Sequence, residues 1–126
     1  MPRSVLAEAQ IHPAIRPVVA GSHASTVQAA QAAVAQHSVV VLGMHHNPFV
    51  KKARRALDAA GVPHHDLLLG NYFSGWRARN ALKLWTGWPT FPMVFVQGTL
   101  VGGADDLARL IASGELQTLL AAPRGA

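Results

Sequence analysis

Trp88-Pro89-Thr90-Phe91-Pro92, followed after a strand-turn-strand pattern by Gly102-Gly103-Ala104-Asp105-Asp106, is the stretch on which the reading of this chain turns. Between its two pieces lie Met93-Val94-Phe95-Val96 and Leu100-Val101, short apolar runs joined near Gln97-Gly98-Thr99, which is a hairpin signal. Asp105 and Asp106 then open a helical pattern running to Ala112, where carboxylates complement the positive helix end.

Working upstream, Val39-Val40-Val41-Leu42 has the composition of a strand buried on both faces, which suits a parallel or mixed sheet covered by helices. Residues 43–46 are expected to form a loop. Asn47-Pro48 then offers an N-cap side chain before a proline whose missing N–H is harmless in the first helical turn. Phe49, Val50, Ala53, Ala56, Leu57 and Ala60 share one helical face, with Lys51, Lys52, Arg54, Arg55 and Asp58 largely outside it. Gly61 can close that helix in the left-handed conformation. A first helix is expected over residues 25–36, capped by Ser25 or Thr26, and a second strand over 64–69, with Pro63 placing its start at an edge or outside the hydrogen-bonded ladder. A third helix is expected over about 72–85 and a short last one around 116–121. The order α-β-α-β-α-β-β-α-α predicts an α/β, thioredoxin-like fold: a four-stranded mixed sheet flanked by helices on both faces.

Composition limits the chemistry. With 126 residues, half of them hydrophobic, the chain suits one domain with a real core. The division expected is a flexible N-terminal extension over residues 1–24, a domain over 25–122 and a tail over 123–126. Eleven Lys and Arg against six Asp and Glu leave a formal charge of +5, which favours anionic partners without choosing among them. There is no cysteine, so disulfides, thiolate metal ligands and thiol nucleophiles are all excluded. The longest apolar run, residues 39–44, falls far below the roughly 18 to 20 residues that span a bilayer. The N-terminal residues lack a continuous apolar segment, which argues against a secretory signal. A soluble, cytoplasmic protein is the expectation.

From about residue 39 to 120 the chain resembles a glutaredoxin. Ala78-Arg79-Asn80-Ala81-Leu82-Lys83 with Gly87-Trp88-Pro89-Thr90 is similar to a segment of monothiol glutaredoxins. Thr90-Phe91-Pro92 resembles their Thr-Val-Pro, whose proline is cis, and Gly102-Gly103-Ala104-Asp105-Asp106 matches their Gly-Gly-x-Asp-Asp turn. The resemblance implies glutathione as ligand. Thr90, Phe91 and Pro92 would present backbone to its cysteinyl part as an added strand presents it. Arg79 would take the glycyl carboxylate, and Gly103, Ala104 and Asp105 at a helix N-terminus would take the γ-glutamyl end.

The first half departs from that family. Where a dithiol glutaredoxin reads Cys-Pro-Tyr-Cys and a monothiol one Cys-Gly-Phe-Ser, this chain reads Asn47-Pro48-Phe49-Val50. An amide cannot attack a disulfide, and it cannot replace the thiolate through which such proteins bridge an iron-sulfur cluster, so no cluster is expected through its own side chains. Asn47 is read first as a helix cap, and no catalytic residue is assigned. Met44 stands where the family has a ligand-binding lysine, while Lys51 and Lys52 are expected to face solvent.

His45-His46 and His64-His65 invite a metal reading, but the predicted topology sends the pairs to opposite ends of the sheet, so no metal site is assigned. His46 can add charge beside the lost thiol position. The basic cluster Lys51, Lys52, Arg54 and Arg55 is more simply a solvated helix face than a nucleic-acid site, because no aromatic stacking platform accompanies it. Trp88 is expected to border the cleft. The reading is thus a non-redox binding module for glutathione or a similar small peptide-like anion. Its rivals are a scaffold with a vestigial cleft, recruiting protein partners through its surface, and an enzyme using glutathione's own thiol with His46 as base.

Overall fold

The computed structural model describes residues 3–21, 24–69 and 76–122. Its sheet has the order β2-β1-β3-β4, built from β1 (Val39–Met44), β2 (His65–Leu69), β3 (Met93–Val96) and β4 (Thr99–Gly102). β1 pairs parallel with β2 and antiparallel with β3, and β3 pairs antiparallel with β4. The helices are α1 (Arg16–Gly21), α2 (Ala24–Gln36), α3 (Pro48–Ala59), α4 (Trp76–Thr86), α5 (Ala104–Ser113) and α6 (Glu115–Ala121). This is the expected α/β, thioredoxin-like arrangement.

Alternation along the central strands sorts the core into two layers. Val39, Val41, Val94 and Val96 pack with Val50, Ala53 and Leu57 of α3, Leu107 of α5 and Leu116 of α6. Val40, Leu42, Met93 and Phe95 point the other way, onto Ala30 and Ala33 of α2 and Leu82 of α4. The period-2 geometry of a strand puts neighbouring residues on opposite faces, so an unbroken apolar run is what a sheet covered on both sides requires. α3 and α5 therefore lie on one face of the sheet and α4 on the other.

Several boundaries differ from the sequence reading. Gly43 and Met44 belong to β1 rather than to a loop, because Leu68 and Leu69 of β2 pair with them. Gly43 also has a packing role there: a Cβ on it would collide with Val50 Cγ2, so its lack of a side chain is what lets α3 approach β1. α2 begins at Ala24, which places Ser25 and Thr26 inside its first turn and not at its cap. β2 begins at His65, one residue later than expected, and forms the sheet edge that Pro63 implied. The expected start of the third helix, residues 72–75, lies outside the described residues. Within residues 3–21 the chain forms a 3₁₀ turn at Glu8–Gln10 and the short helix α1, and Arg3 Nη2 donates to Trp85 O at 3.2 Å. The hairpin turn is Gln97-Gly98, with φ of 50° and 81°. Two successive positive φ values suit the right-handed twist of the flanking strands. Among the described residues, no helix is long and apolar enough to cross a membrane.

Candidate functional site

At the end of the sheet where β1 stops and β3 starts, the chain leaves Met44, turns through His45 and His46, and enters α3 at Asn47. Asn47 is buried, at 6 % exposure. Its Oδ1 accepts from Phe49 N–H at 2.8 Å and Val50 N–H at 3.2 Å, which satisfies two of the otherwise unpaired donors of the first helical turn. Pro48 has no N–H to satisfy, as expected for the first helical position. Asn47 is thus a helix cap.

The opposite wall is made mainly of backbone. Thr86 Oγ1 donates to Leu82 O at 2.9 Å and accepts from Trp88 N–H at 3.1 Å, tying the end of α4 to the Trp88 segment. The Phe91–Pro92 peptide bond is cis. Further along, Gly103 N–H donates to Asp106 Oδ2 at 3.0 Å, and Arg109 Nη1 donates to Asp106 Oδ1 at 3.2 Å, so Asp106 caps α5. Gly102 holds the preceding turn at φ of 115°, in the region that favours glycine.

These walls enclose a cavity of about 400 Å³, within the range of small-ligand pockets. Every residue assigned from the sequence lines it: Arg79, Thr90, Phe91, Pro92, Gly103, Ala104 and Asp105, together with Asn47, Met44 and Trp88. Its remaining lining residues, Phe49, Lys83, Pro89 and Asp106, escaped the sequence reading. Lys83 was detectable, since it lies one helical turn beyond Arg79 on the same face of α4. Its Nζ stands 5.8 Å from the centroid of the Phe91 ring, a cation–π distance. Phe49 shares its helical face with Val50, Ala53 and Leu57, yet it is 56 % exposed and lines the cavity. The cavity is therefore cationic on the α4 side and carries carboxylates on the α5 side.

One contact adds to an expectation. Lys52 is exposed, as expected, and its Nζ also bonds Asp105 Oδ1 at 2.8 Å, joining α3 to α5 beside the cavity. The hydrogen bond from Lys52, with its charge, holds the Asp105 carboxyl below its ordinary range.

The two histidine pairs separate as the topology predicted. His45 and His46 follow β1, whereas His65 pairs with Val40 at the far end of the sheet and stacks on His37 with ring centroids 4.1 Å apart. Beside that stack, His64 bridges two helix and strand carboxylates, with Nε2 2.8 Å from Asp58 Oδ1 and Nδ1 2.6 Å from Asp66 Oδ1. Arg54 Nε stands 2.8 Å from Asp66 Oδ2. Burial alone would depress His64, but the bonds to Asp58 and Asp66 outweigh it and raise its pKa above the ordinary value of 6.5.

The glutaredoxin family model matches residues 39–101, which include both β1 and the wall around Pro92. The chain belongs to the glutaredoxin family. Within it, the chain is 40 % identical over 94 residues to a glutaredoxin-like protein of Dictyostelium discoideum, covering 75 % of this chain and 76 % of that one. It is 34 % identical over 100 residues to the mitochondrial monothiol glutaredoxin-5 of Schizosaccharomyces pombe, covering 75 % and 68 %. Among solved structures, oxidised glutaredoxin 2 from Chlamydomonas reinhardtii superposes with a TM-score of 0.67 at 32 % identity, covering 77 % of this chain and 92 % of that one. A buckwheat glutaredoxin solved as a glutathione complex gives 0.64 at 24 % identity, covering 76 % and 87 %, a likeness of fold. This family member has no cysteine anywhere in its sequence.

Proposed function

We infer that the chain is a non-redox binding module of the glutaredoxin family, whose cleft takes glutathione or a similar peptide-like anion. The observation that carries this reading is the charge layout of the cavity. Arg79 and Lys83 stand on the α4 side, Asp105 and the N-terminus of α5 on the other, and the Phe91–Pro92 backbone lies between them. A short peptide with carboxylates and one ammonium matches that layout, because the cations hold the glycyl carboxylate while the helix N-terminus and Asp105 hold the zwitterionic end. The buckwheat glutaredoxin of the same fold was solved with glutathione. An iron-sulfur cluster does not fit these residues: the side chain at the head of α3 is an amide whose oxygen is committed to backbone donors, and it offers no thiolate.

The scaffold reading is favoured by one contact, the Lys52–Asp105 ion pair, which occupies the carboxylate that a ligand ammonium would use. Calorimetric titration of the full chain with reduced glutathione and with γ-glutamylcysteine separates the two. Saturable binding is expected for both, weaker for the truncated ligand, and Arg79→Ala should reduce glutathione affinity more than γ-glutamylcysteine affinity. A folded chain that shows no saturable heat with either ligand overturns the binding reading and leaves the scaffold.

A further inference from the structure

We propose that His64 is a proton-operated clasp: protonated, it ties the last turn of α3 to the edge strand β2, and on losing its proton it lets go of Asp58 and keeps Asp66. The clasp lies at the end of α3 opposite Asn47 and does not depend on what the cleft binds.

The geometry fixes the number of protons. Both ring nitrogens of His64 stand against carboxylates, Nε2 2.8 Å from Asp58 Oδ1 and Nδ1 2.6 Å from Asp66 Oδ1. An ionised carboxylate only accepts hydrogen bonds and a neutral imidazole has one N–H to give, so both contacts are hydrogen bonds only when the ring carries two protons. The His64 side chain is 9 % exposed, which leaves water little room to take the place of a lost partner. A neutral ring must therefore give up one carboxylate.

Burial and pairing decide which one. Asp66 is 16 % exposed and has a second cation beside it, Arg54 Nε at 2.8 Å from Oδ2, whereas Asp58 is 72 % exposed and can turn its carboxylate to water at little cost. Asp66 thus keeps the remaining N–H, on Nδ1, and Asp58 is released. Release matters because Asp58 stands in the last turn of α3, at the negative end of the helix, where a carboxylate without a cation is unfavourable. That turn is closed by Ala60 N–H on Ala56 O at 3.1 Å, Gly61 N–H on Asp58 O at 3.0 Å and Val62 N–H on Leu57 O at 2.9 Å. These three bonds report the state of the clasp. The other charged groups nearby are Arg54 and Arg55, one turn back from Asp58 on α3. His65 and His37 stack on the opposite face of β2, because His65 pairs with Val40 and Asp66 with Val41. Burial tends to depress the His64 pKa, but its two carboxylates outweigh it and hold it above 6.5. The clasp is accordingly closed in mildly acidic solution and opens as pH rises past the raised value.

Amide hydrogen exchange of the full chain, followed by NMR and corrected for the intrinsic rate at each pH, tests this beside the titration of the His64 ring. Protection of Ala60, Gly61 and Val62 should fall about two- to fivefold as His64 loses its proton. Lys51 N–H, bonded to Asn47 O at 3.1 Å at the other end of the helix, should keep its protection. Asp58→Asn removes the charge that is uncovered and should abolish the fall, and His64→Gln, which does not titrate, should give constant protection over the same range. Protection that stays unchanged while His64 titrates, or that falls as far in Asp58→Asn, overturns the clasp. So does a neutral ring whose nitrogen shifts place the proton on Nε2, since Asp58 and not Asp66 would then be the partner retained.

Discussion

The two walls of the cleft are built from different materials. Residues 88–92 and 102–106 shape theirs with backbone: a cis bond before Pro92, glycine at a positive φ, and the Gly103 N–H turned onto Asp106. The facing wall depends on one side chain at the head of α3, the capping amide of Asn47. A backbone wall keeps its shape under many side-chain changes, whereas a side-chain wall changes its chemistry with a single residue. That contrast shows how this cavity can keep its shape in a chain that has no thiol.

The largest expected effect comes from rebuilding the side-chain wall. The native chain should show no glutathione-dependent disulfide reductase activity, since it has no thiol. Asn47→Cys should form a mixed disulfide with glutathione more readily than a cysteine placed on a plain surface, with a thiol pKa below about 8.5 because of the helix N-terminus. Met44 in place of a lysine should keep its activity poor. Mass spectrometry after incubation with glutathione disulfide measures this, and equal reactivity at both sites would mean that the two walls no longer work together.

Breaking the backbone wall should come next. A Cβ on Gly102 would lie 2.5 Å from Asp106 Oδ2, with φ already at 115°. Gly102→Ala should therefore disrupt the cap on α5 and cost about 1–3 kcal/mol of stability. Chemical denaturation would show it as a lower midpoint, and glutathione binding should weaken with it. An unchanged midpoint would show that this turn is less constrained than its geometry implies.

A smaller effect should arise at the far end of the sheet and leave both walls alone. His64 is raised in the folded state, so its protonated form is the one that folding favours. Its contribution is complete below the ordinary value of 6.5 and is lost as pH rises through the raised value. The stability difference between the native chain and His64→Ala should accordingly be greater in mildly acidic than in alkaline solution, with ligand affinity unchanged. The opposite pH trend would reverse the assigned sign.

The smallest effect should be at the mouth. Lys52 and Asp105 are 56 % and 67 % exposed, where ion pairs are screened by water and salt. Lys52→Ala should alter glutathione affinity by no more than a few-fold, in the direction of tighter binding because Asp105 is released for the ligand ammonium, and the change should fade in high salt. A large loss of affinity on titration would instead make Lys52 a direct ligand contact.

The caps beside the cleft were legible in the sequence because their signals are local, whereas its ligand-facing residues were legible only through the family resemblance. Asn47-Pro48 reads as a cap because capping joins residue i to i+2 and i+3, and Gly61 closes α3 with φ of 69° for an equally local reason. Lys52 faces solvent as its helix pattern implies, but nothing near it in sequence announces its partner Asp105. Gly43 and Met44 were assigned to a loop because glycine after an apolar run resembles a strand end, while the strand continues only through pairing with β2.

The sequence by itself determined which chemistry is absent, since no arrangement of a chain without cysteine yields a thiolate. It also determined the alternation that covers the sheet on both faces, and the turns and caps that end its elements. The tertiary structure decided what meets what. The strand order β2-β1-β3-β4 sets Asn47 beside Pro92, and the two helix layers place Arg79 and Lys83 opposite Asp105. The same packing holds Lys52 against Asp105 and wedges His64 between Asp58 and Asp66. Such contacts join residues on different elements, and their distances follow from packing across the sheet rather than from spacing along the chain.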